Sequence, residues 1–415
     1  MKKFVRPWFF LFCMMGVLSV SAQRGLPPDA KTRSTLVTKY AQHLDFLPPM
    51  VKLLNVPDGW QVNVAASGLG RPRMLYNGPN GELYVTRRDG GDVLMLKDAD
   101  GDHIFEDLVT VVYDFKGVHG ITAKDGWMYL CNNNELRRYK MLPDGTLEKK
   151  GETLINDLPD GGQHPNRTID FGPDGMLYIS VGTLCNDCKE SDKETAAMSQ
   201  VDPKTWKRTL FASGLRNTIG FDWHPKTNEL WGVDNGGDEK GNRWPPEEVN
   251  YIVKGGSYGY PFAYGKREVD DSREDPAGNT KEEWVKNTVP STLELTAHMA
   301  PIGFKFFGNA ANIPSEYAED ALVCWHGSWN RSKPVGFKVQ RIKFQNGVAV
   351  GAEDFLTGFL KPGFPLVKRK ARFGRPAGVT ITPKGAVYIS DDANGVIYAI
   401  TRKTTDSTIS KLGNE

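Results

Sequence analysis

The sequence predicts an all-β protein, a six-bladed β-propeller of four-stranded antiparallel blades, because one short pattern recurs along it. The pattern is an apolar strand, a polar turn with Gly or Pro, and a second short apolar strand, as in IDFGPDGMLYISVG and VTITPKGAVYISDD. The second strands are anchored at Tyr84, Tyr129, Tyr178, Trp231, Val323 and Tyr388. The first three intervals between anchors are 45, 49 and 53 residues, which is typical of a four-stranded blade.

The next interval, from Trp231 to Val323, is 92 residues, which predicts a long insertion at about 234–297 in one blade. No stretch of useful length places apolar residues at helical spacing, and 44 glycines and 26 prolines suit strands joined by tight turns. We therefore expect the propeller to span residues 56–403, with an N-terminal extension at 23–55 and a flexible tail at 404–415.

The first residues have the three parts of a cleavable signal peptide, which we place at 1–22. Lys2, Lys3 and Arg6 form a positive region, and the apolar stretch after it ends in the small residues VSA. That stretch is too short for a comfortable membrane span, and no later stretch is long enough. We expect a periplasmic or secreted protein with no membrane span in its mature chain. The formal net charge of +2 provides no field that would recruit nucleic acid.

Four cysteines remain after the predicted cleavage. Cys185 and Cys188 lie in a turn-like stretch, which predicts a local disulfide in an exported protein. Cys131 and Cys324 lie in apolar strand runs, which is typical of buried thiols. Because Lys189, and not a histidine, follows Cys188, the pair is no c-type haem attachment site.

Polar residues precede the first strand of each repeat, and in a propeller these strands begin at one mouth of the central channel. The segments read GLGRPR, GVHG, GGQHPNR, GLRN, AHMAP and FGRPAG. Their basic residues are Arg71, Arg73, Arg167, Arg216 and Arg375, with His119, His164 and His298. Convergent guanidinium groups suit an anion with several carboxylates, since each fork can pair bidentately with one. Any single arginine could instead pair with an acidic residue between blades.

Several motifs, in this order along the chain, resemble one known family. They are HPNRTIDFGPDGMLYISVG, GLRN, DNGG, EEVNYIVKGGSYGYP, HGSWNRSKPVGFKVQRI and GRPAGVTITPKGAVYISDD, and the similarity runs from about Gly59 to Ala399. With these motifs the chain resembles the soluble sugar dehydrogenases that depend on pyrroloquinoline quinone (PQQ), in particular the sorbosone-dehydrogenase-like branch. The resemblance implies a quinoprotein oxidoreductase that uses PQQ and calcium to oxidise a sugar, sugar aldehyde or polyol.

The resemblance also implies roles for individual residues. His164 occupies the place of a general base that takes the substrate hydroxyl proton while a hydride passes to the quinone. Arg216 and Asn217 match a pair that lies against the quinone, where Arg216 would stabilise developing negative charge. The other cofactor-binding positions that we predict are Arg375, Arg331 or Lys333 in HGSWNRSKP, and His119 on the rim.

Calcium is the second cofactor that the resemblance implies. Gly236 and Gly237 in DNGG match a turn whose backbone carbonyls hold the ion against the quinone, where it acts as a Lewis acid. Glu248 and Tyr258 match a further, structural calcium site.

The chain departs from the family pattern at two positions on the substrate side of the pocket. Thr183 stands where some relatives have an acidic residue that orients the base histidine, and Ile219 stands where a glutamine follows the Arg-Asn pair. Both changes leave the cofactor side intact. Because the chain has no haem motif, we expect its electrons to pass to an external acceptor, a cytochrome or the quinone pool.

Two other functions fit a propeller of this size. One is a calcium-dependent, lactonase-type hydrolase, whose metal would be held by Glu, Asn and Asp side chains, whereas this rim is rich in Arg and His. The other is a non-catalytic carbohydrate-binding propeller, against which the presence of His164, Arg216 and Asn217 argues.

Overall fold

Residues 43–360 and 372–403 are described by the structure, a computed structural model, and they form the predicted six-bladed propeller. The predicted signal peptide at 1–22, residues 23–42 of the predicted extension and the predicted tail at 404–415 lie outside these residues. A 3-10 helix at Pro48–Leu53 comes before the first strand, and another lies at Ser315–Tyr317. In the described ranges, no helix is long and apolar enough to cross a membrane.

The strands follow one another in chain order, and each blade is an antiparallel sheet of four. The first strand of the described residues is β1 (Trp60–Ala66). Blade 1 contains β2 (Leu75–Asn77), β3 (Leu83–Arg87), β4 (Asp92–Lys97) and β5 (Asp107–Val112). Blade 2 contains β6 (Gly120–Lys124), β7 (Trp127–Cys131), β8 (Leu136–Lys140) and β9 (Glu152–Ile155). Blade 3 contains β10 (Ile169–Phe171), β11 (Leu177–Val181), β12 (Ala197–Val201) and β13 (Arg208–Ser213).

Blade 4 has the longest internal connection. It contains β14 (Thr218–Trp223), β15 (Leu230–Asp234) and β16 (Glu247–Tyr251), then a hairpin of β17 (Ala263–Tyr264) and β18 (Glu268–Val269), the helix α1 (Lys281–Val285), and finally β19 (Leu293–Leu295). The hairpin forms a separate two-stranded sheet, and β19 pairs with β16 to complete the blade. Both β16 and β19 fall within the range 234–297 that the sequence analysis gave to the insertion.

The sixth blade takes strands from both ends of the described chain and so closes the ring. Blade 5 contains β20 (Pro301–Phe306), β21 (Ala321–Trp325), β22 (Lys338–Gln345) and β23 (Val348–Leu356). Blade 6 contains β24 (Pro376–Ile381), β25 (Val387–Asp391) and β26 (Val396–Arg402), with β1 as its outermost strand. The register of this closing pair runs from Trp60 opposite Arg402 to Ala66 opposite Ile397.

The anchor residues of the repeat are buried between neighbouring blades. Tyr84 of blade 1 packs in one cluster with Met128 of blade 2, and Tyr178 of blade 3 packs with Phe221 of blade 4. These side chains alternate with the strand pleat and face the adjacent sheet, which explains why the sequence repeats them at blade intervals.

The first strands of neighbouring blades approach one another closely around the channel, and glycines permit this approach. A Cβ atom on any of four glycines would lie between 2.2 and 2.7 Å from a backbone carbonyl oxygen of the next blade's first strand or of the residue two positions before that strand. We call these four residues, Gly120, Gly220, Gly303 and Gly378, the channel glycines.

The cysteine predictions are confirmed. Cys185 and Cys188 form a disulfide, and Cys131 and Cys324 are buried free thiols. Burial raises the pKa of Cys131 to about 12, so this thiol stays protonated and unreactive at neutral pH.

Candidate functional site

The predicted site residues come from loops that immediately precede the first strands of several blades. His119 precedes β6, His164 lies before β10, Arg216 and Asn217 precede β14, and Arg375 precedes β24. Because the first strands of neighbouring blades contact one another around the channel, residues at their starts share one mouth.

The two ring nitrogens of His164 have different partners. Nδ1 lies 2.7 Å from the carbonyl oxygen of Thr183, so Nδ1 carries the proton and donates it. Nε2 therefore keeps its lone pair, and Nη2 of Arg216 lies 3.5 Å from it. Burial and the positive charge of Arg216 lower the pKa of His164 to about 3, so the ring is neutral at ordinary pH. Thus the backbone of Thr183 orients the imidazole at a position where the sequence has no acidic side chain.

Arg216 is almost fully buried, yet its guanidinium contacts only uncharged groups. Nε donates to the carbonyl of Asn186 at 2.8 Å, Nη1 to the carbonyl of Asn235 at 3.1 Å, and Nη2 to Oδ1 of Asn186 at 2.9 Å. Within residues 43–360 and 372–403, no carboxylate forms a salt bridge with it. Since burying an unpaired cation is costly, the arrangement favours an anionic ligand at this guanidinium.

Asn217 lies beside the same histidine. Its backbone N–H donates to Oδ1 of Asp234 at 2.8 Å, which fixes the turn into β14. A Cβ atom on Gly182 would lie 2.5 Å from Oδ1 of Asn217 and 2.7 Å from Cβ of His164. Only a glycine at 182 therefore lets these two side chains lie so close together.

A second polar cluster, which the sequence analysis did not identify, joins blades 1, 5 and 6. His326 donates from Nε2 to Oδ1 of Asp392 at 2.7 Å, and Nη1 of Arg73 pairs with Oδ2 of Asp392 at 2.5 Å. Burial raises the pKa of the Asp392 carboxyl, but His326 and Arg73 outweigh that effect and hold it below its usual range. His326 is the first residue of the HGSWN motif and Asp392 is the last residue of the ISDD motif. The family resemblance includes both motifs but implies no role for these two residues.

Arg375 lies next to this cluster. Nε donates to the carbonyl of His326 at 2.7 Å and Nη2 to that of Gly327 at 2.6 Å. Burial and the nearby charges of Arg372 and Arg73 lower its pKa to about 9, against the opposite effect of Asp392. Like Arg216, it binds backbone carbonyls and so retains its charge for a ligand.

His119 is completely buried, and in the described part of the chain neither of its ring nitrogens has a hydrogen-bond partner. Burial lowers its pKa well below the usual value, and the charges of Arg73, Arg88 and Arg167 lower it further. Nε of Arg73 and Nε of Arg167 are also buried, and neither has a hydrogen-bond partner among the described residues. Buried donors without partners are rare in folded proteins, and two such arginine nitrogens near His119 fit an anionic cofactor.

The turn after β15 offers oxygen atoms next to Arg216. Among the hydrogen bonds of residues 43–360 and 372–403, none uses the carbonyl oxygen of Gly236 or Gly237. The Gly236 N–H donates to Oε2 of Glu247 at 3.0 Å, and burial raises the pKa of Glu247 to about 8. Carbonyl and carboxylate oxygens are the ligands that calcium prefers, so the donor set of this turn fits the implied ion.

Glu248 and Tyr258 have separate local partners. Glu248 accepts hydrogen bonds from the Gly265 N–H at 2.6 Å and from Nδ2 of Asn250 at 2.9 Å. Its pairing register places it opposite Asp234 on one side and Glu294 on the other. Tyr258 donates its hydroxyl to the Tyr251 carbonyl at 2.6 Å, so the phenol serves the local fold.

The remaining predicted residues differ in exposure. Arg331 donates from Nη1 to the Ala297 carbonyl at 3.0 Å, and its Nε is buried without a partner in the described residues. Lys333 is exposed. His298 donates from Nε2 to the Gly241 carbonyl at 2.7 Å, and Arg71 pairs with Asp89 at 2.6 Å. Of the two candidates in HGSWNRSKP, Arg331 is thus the one with an unused buried donor.

Comparison with known families gives one match over almost the whole described chain. Residues 54–403 match the model of the TrAA12-like family. This chain belongs to the TrAA12-like family. That assignment confirms the resemblance to soluble PQQ-dependent sugar dehydrogenases, because curated relatives carry such names.

Two relatives are similar to this TrAA12-like chain over most of its length. A PQQ-dependent sugar dehydrogenase of Hypocrea jecorina is 24% identical over 399 residues, covering 84% of this chain and 89% of that protein. An uncharacterised protein of Borreliella burgdorferi is 36% identical over 366 residues, covering 84% of this chain and 90% of that protein.

Solved structures share the fold of this TrAA12-like protein. The calcium structure of the Trichoderma reesei family AA12 enzyme superposes with a TM-score of 0.72 at 22% identity, covering 89% of this chain and 100% of that one. The holo form of the PQQ domain of Coprinopsis cinerea pyranose dehydrogenase gives 0.69 at 21% identity, covering 84% and 97%. At these identities the likeness establishes the fold.

Proposed function

We propose that this protein is a PQQ-dependent dehydrogenase that oxidises a sugar, sugar aldehyde or polyol by hydride transfer, with His164 as general base. The observation that carries the proposal is the pair formed by His164 and Arg216. Nδ1 of His164 donates to a backbone carbonyl 2.7 Å away, so Nε2, which lies 3.5 Å from Nη2 of Arg216, is the nitrogen that would take a proton. Beside it lies a buried guanidinium that forms no salt bridge with a carboxylate of the described residues. The names of the relatives support the same reaction class.

The residues that would hold the quinone are those with unused positive charge or unpaired donors. Arg216 and Asn217 would contact it from blade 4, Arg375 from blade 6, and Arg331 or Lys333 from blade 5. His119 would contribute its ring nitrogens, for which residues 43–360 and 372–403 supply no hydrogen-bond partner. The Gly236 and Gly237 carbonyls would bind a calcium ion, and Glu248 and Tyr258 belong to a second proposed calcium site. When bound, the quinone would accept the hydride while the ion polarises its reacting carbonyl.

The side chains of His164 and Arg216 and the backbone of Thr183 would have different roles at the substrate. His164 would take the hydroxyl proton at Nε2, and the resulting imidazolium would be held by the Thr183 carbonyl through Nδ1–H. Arg216, which lies next to Nε2 of His164, would stabilise the negative charge that develops on the quinone. Loss of the Thr183 contact would let the ring rotate, so orientation of the base depends on that backbone position.

The location and the electron route belong to the same proposal. We propose that the protein acts in the periplasm or outside the cell and passes electrons to an external cytochrome or to the quinone pool. Cys185 and Cys188, which form a disulfide, suit an oxidising compartment.

Titration of the purified protein with PQQ in calcium buffer, followed by dye-linked sugar oxidation, tests the proposal. We expect about one quinone per chain in wild type, with affinity lowered at least about tenfold in Arg216→Gln, because a charge-assisted contact is lost. His164→Gln should bind quinone normally and turn over about 10²- to 10⁴-fold more slowly. Arg137→Ala, which removes an ion pair with Glu135 in blade 2, is the matched control for charge.

Failure of wild-type protein to bind micromolar quinone would refute the dehydrogenase proposal. Lactone hydrolysis and sugar binding would then be measured on the same protein. Calcium-dependent hydrolysis would point to the lactonase-type alternative, and binding without turnover to a carbohydrate-binding propeller.

A further inference from the structure

Both members of the His164–Arg216 pair are held by one short loop, residues 183–190, which we call the cysteine loop. At its start, the Thr183 carbonyl accepts the Nδ1–H of His164 at 2.7 Å. Three residues later, Asn186 accepts two hydrogen bonds from Arg216. The loop therefore sets the position of the imidazole and of the guanidinium together.

Asn186 uses its backbone and its whole side-chain amide in these contacts. Its carbonyl accepts from Nε of Arg216 at 2.8 Å, and its Oδ1 accepts from Nη2 of Arg216 at 2.9 Å. The same Oδ1 accepts from the Asp238 N–H at 2.8 Å, and Nδ2 donates to the Asp238 carbonyl at 3.0 Å. Asn186 thus joins Arg216 to the turn that follows β15.

The choice of an amide at this position has an electrostatic consequence. An aspartate would offer the same oxygen but would also neutralise the guanidinium, whereas an asparagine orients it and leaves its charge intact. Because the attraction for an anion depends on that net charge, a neutral acceptor preserves the binding power of Arg216.

The cysteine loop is held at both ends. The Cys185–Cys188 disulfide closes the loop around Asn186. The Tyr260 hydroxyl lies 2.9 Å from Oγ1 of Thr183, accepts from the Cys188 N–H at 3.0 Å and lies 3.0 Å from the Cys188 carbonyl, to which it donates. Glu190 accepts from the Thr183 hydroxyl and from the Leu184 N–H. A covalent closure combined with this network leaves Asn186 little freedom.

We propose that Asn186, fixed by the Cys185–Cys188 disulfide, is a positioning residue that orients Arg216 beside Nε2 of His164 while leaving its charge available to an anionic ligand. The inference rests on the proposed function, since that function requires the two groups side by side. It goes further by assigning the orientation to a neutral amide and to the disulfide, neither of which touches the reacting atoms.

The test compares Asn186→Ala and Asn186→Asp with Lys189→Ala, an exposed change in the same loop. The first readout is the nitrogen NMR signal of the His164 ring in quinone-free protein, assigned with His164→Gln. The second readout is the affinity for PQQ. The third is the effect of each substitution on kcat and on KM, measured separately. We expect Asn186→Ala to shift the Nε2 signal of His164 and to weaken quinone binding about tenfold. Lys189→Ala should match wild type in all three.

Asn186→Asp separates orientation from charge. It keeps the acceptor for Arg216, so the His164 signals at neutral pH should stay close to those of wild type. Its added negative charge should nevertheless weaken quinone binding at least as much as the alanine variant. A purely structural residue would not separate these two readouts.

Reduction of the Cys185–Cys188 disulfide is a second test of the positioning proposal. Wild-type protein treated with dithiothreitol, and the Cys185→Ser/Cys188→Ser variant, should both move the His164 signals toward those of Asn186→Ala. If Asn186→Ala does not fold, the reduced wild-type protein and Asn186→Asp still decide the question. Unchanged His164 signals and unchanged quinone affinity in folded Asn186→Ala would overturn the proposal. If wild type binds no quinone, the proposed function fails, while the ring signals still test the positioning.

Discussion

At the residue scale, His164 combines a well-oriented ring with a low basicity. The Thr183 carbonyl fixes the tautomer that leaves Nε2 as the acceptor. Burial and Arg216, however, lower the pKa of His164 to about 3, whereas a general base works best with a pKa near the operating pH. Arg167 lowers it in the same direction. An anion bound at Arg216 would compensate the guanidinium charge, so ligand binding itself would raise the basicity of His164, the proposed general base.

We predict that the pKa of His164 rises when PQQ binds, and also in Arg216→Gln without PQQ. In both cases a neighbouring positive charge is compensated or removed, which makes protonation of the ring easier. Titration of the ring signals by NMR between pH 3 and pH 8 measures the change. His224, at the end of blade 4's first strand, should titrate identically in all samples. An unchanged His164 titration on binding would show that Arg216 does not couple the ligand to the base.

At the element scale, the channel glycines determine how closely the first strands approach. A Cβ on Gly303 would lie 2.7 Å from the Ala377 carbonyl oxygen and 2.9 Å from the Val379 nitrogen, both backbone atoms that cannot rotate away. The two blades would have to separate to accept it. Since the site loops lie at the ends of these same strands, the spacing of the strands also sets the spacing of the site residues.

We predict that Gly303→Ala lowers the free energy of unfolding by about 1–3 kcal/mol, because an added methyl group meets backbone on the facing strand. Urea-induced unfolding at neutral pH measures the loss. Gly351→Ala in β23 is the control, since nothing lies within 4 Å of a Cβ there. Equal stability of the two variants would mean that the inner strands separate without cost.

The blades were predictable from the sequence because each one is a local repeat. An anchor such as Tyr178 lies a fixed distance after its own turn, so its pattern is visible in a short window. The second polar cluster was not predictable in this way, because His326 and Asp392 are 66 residues apart and meet only once blades 5 and 6 pack. Asn186 and Arg216, 30 residues apart, meet across blades 3 and 4 for the same reason. Motif resemblance found Arg216 but had no role for its neutral partner.

At the scale of the whole molecule, β1 holds the ring closed. Trp60 at its start is buried, packs edge-on against Phe355 of blade 5 at 5.2 Å between ring centroids, and lies over the Tyr317 ring at 6.1 Å. The guanidinium of Arg402 on β26 lies 5.2 Å from the Trp60 ring. The closing strand is therefore fixed both by its ladder to β26 and by a side chain inserted between two blades.

We predict that Trp60→Ala lowers the free energy of unfolding by about 3–5 kcal/mol, the range for removing a large buried aromatic side chain. Trp329→Ala is the matched control, because Trp329 is 61% exposed and its loss should change stability by less than about 0.5 kcal/mol. Thermal and urea-induced unfolding of both variants provide the measurement. Similar small losses in the two would show that β1 contributes little to closure.

The position of β1 also has a consequence for the order in which the protein is made. Gln61 of β1 meets Thr401 of β26 across 340 residues, so β26 leaves the ribosome long after the strand that it pairs with. Until then, β1 presents unpaired backbone groups and an exposed tryptophan, and such strand edges recruit other chains. Chaperone protection should therefore matter most for incomplete chains, and a product truncated before β26 should aggregate even though five of its blades are fully encoded.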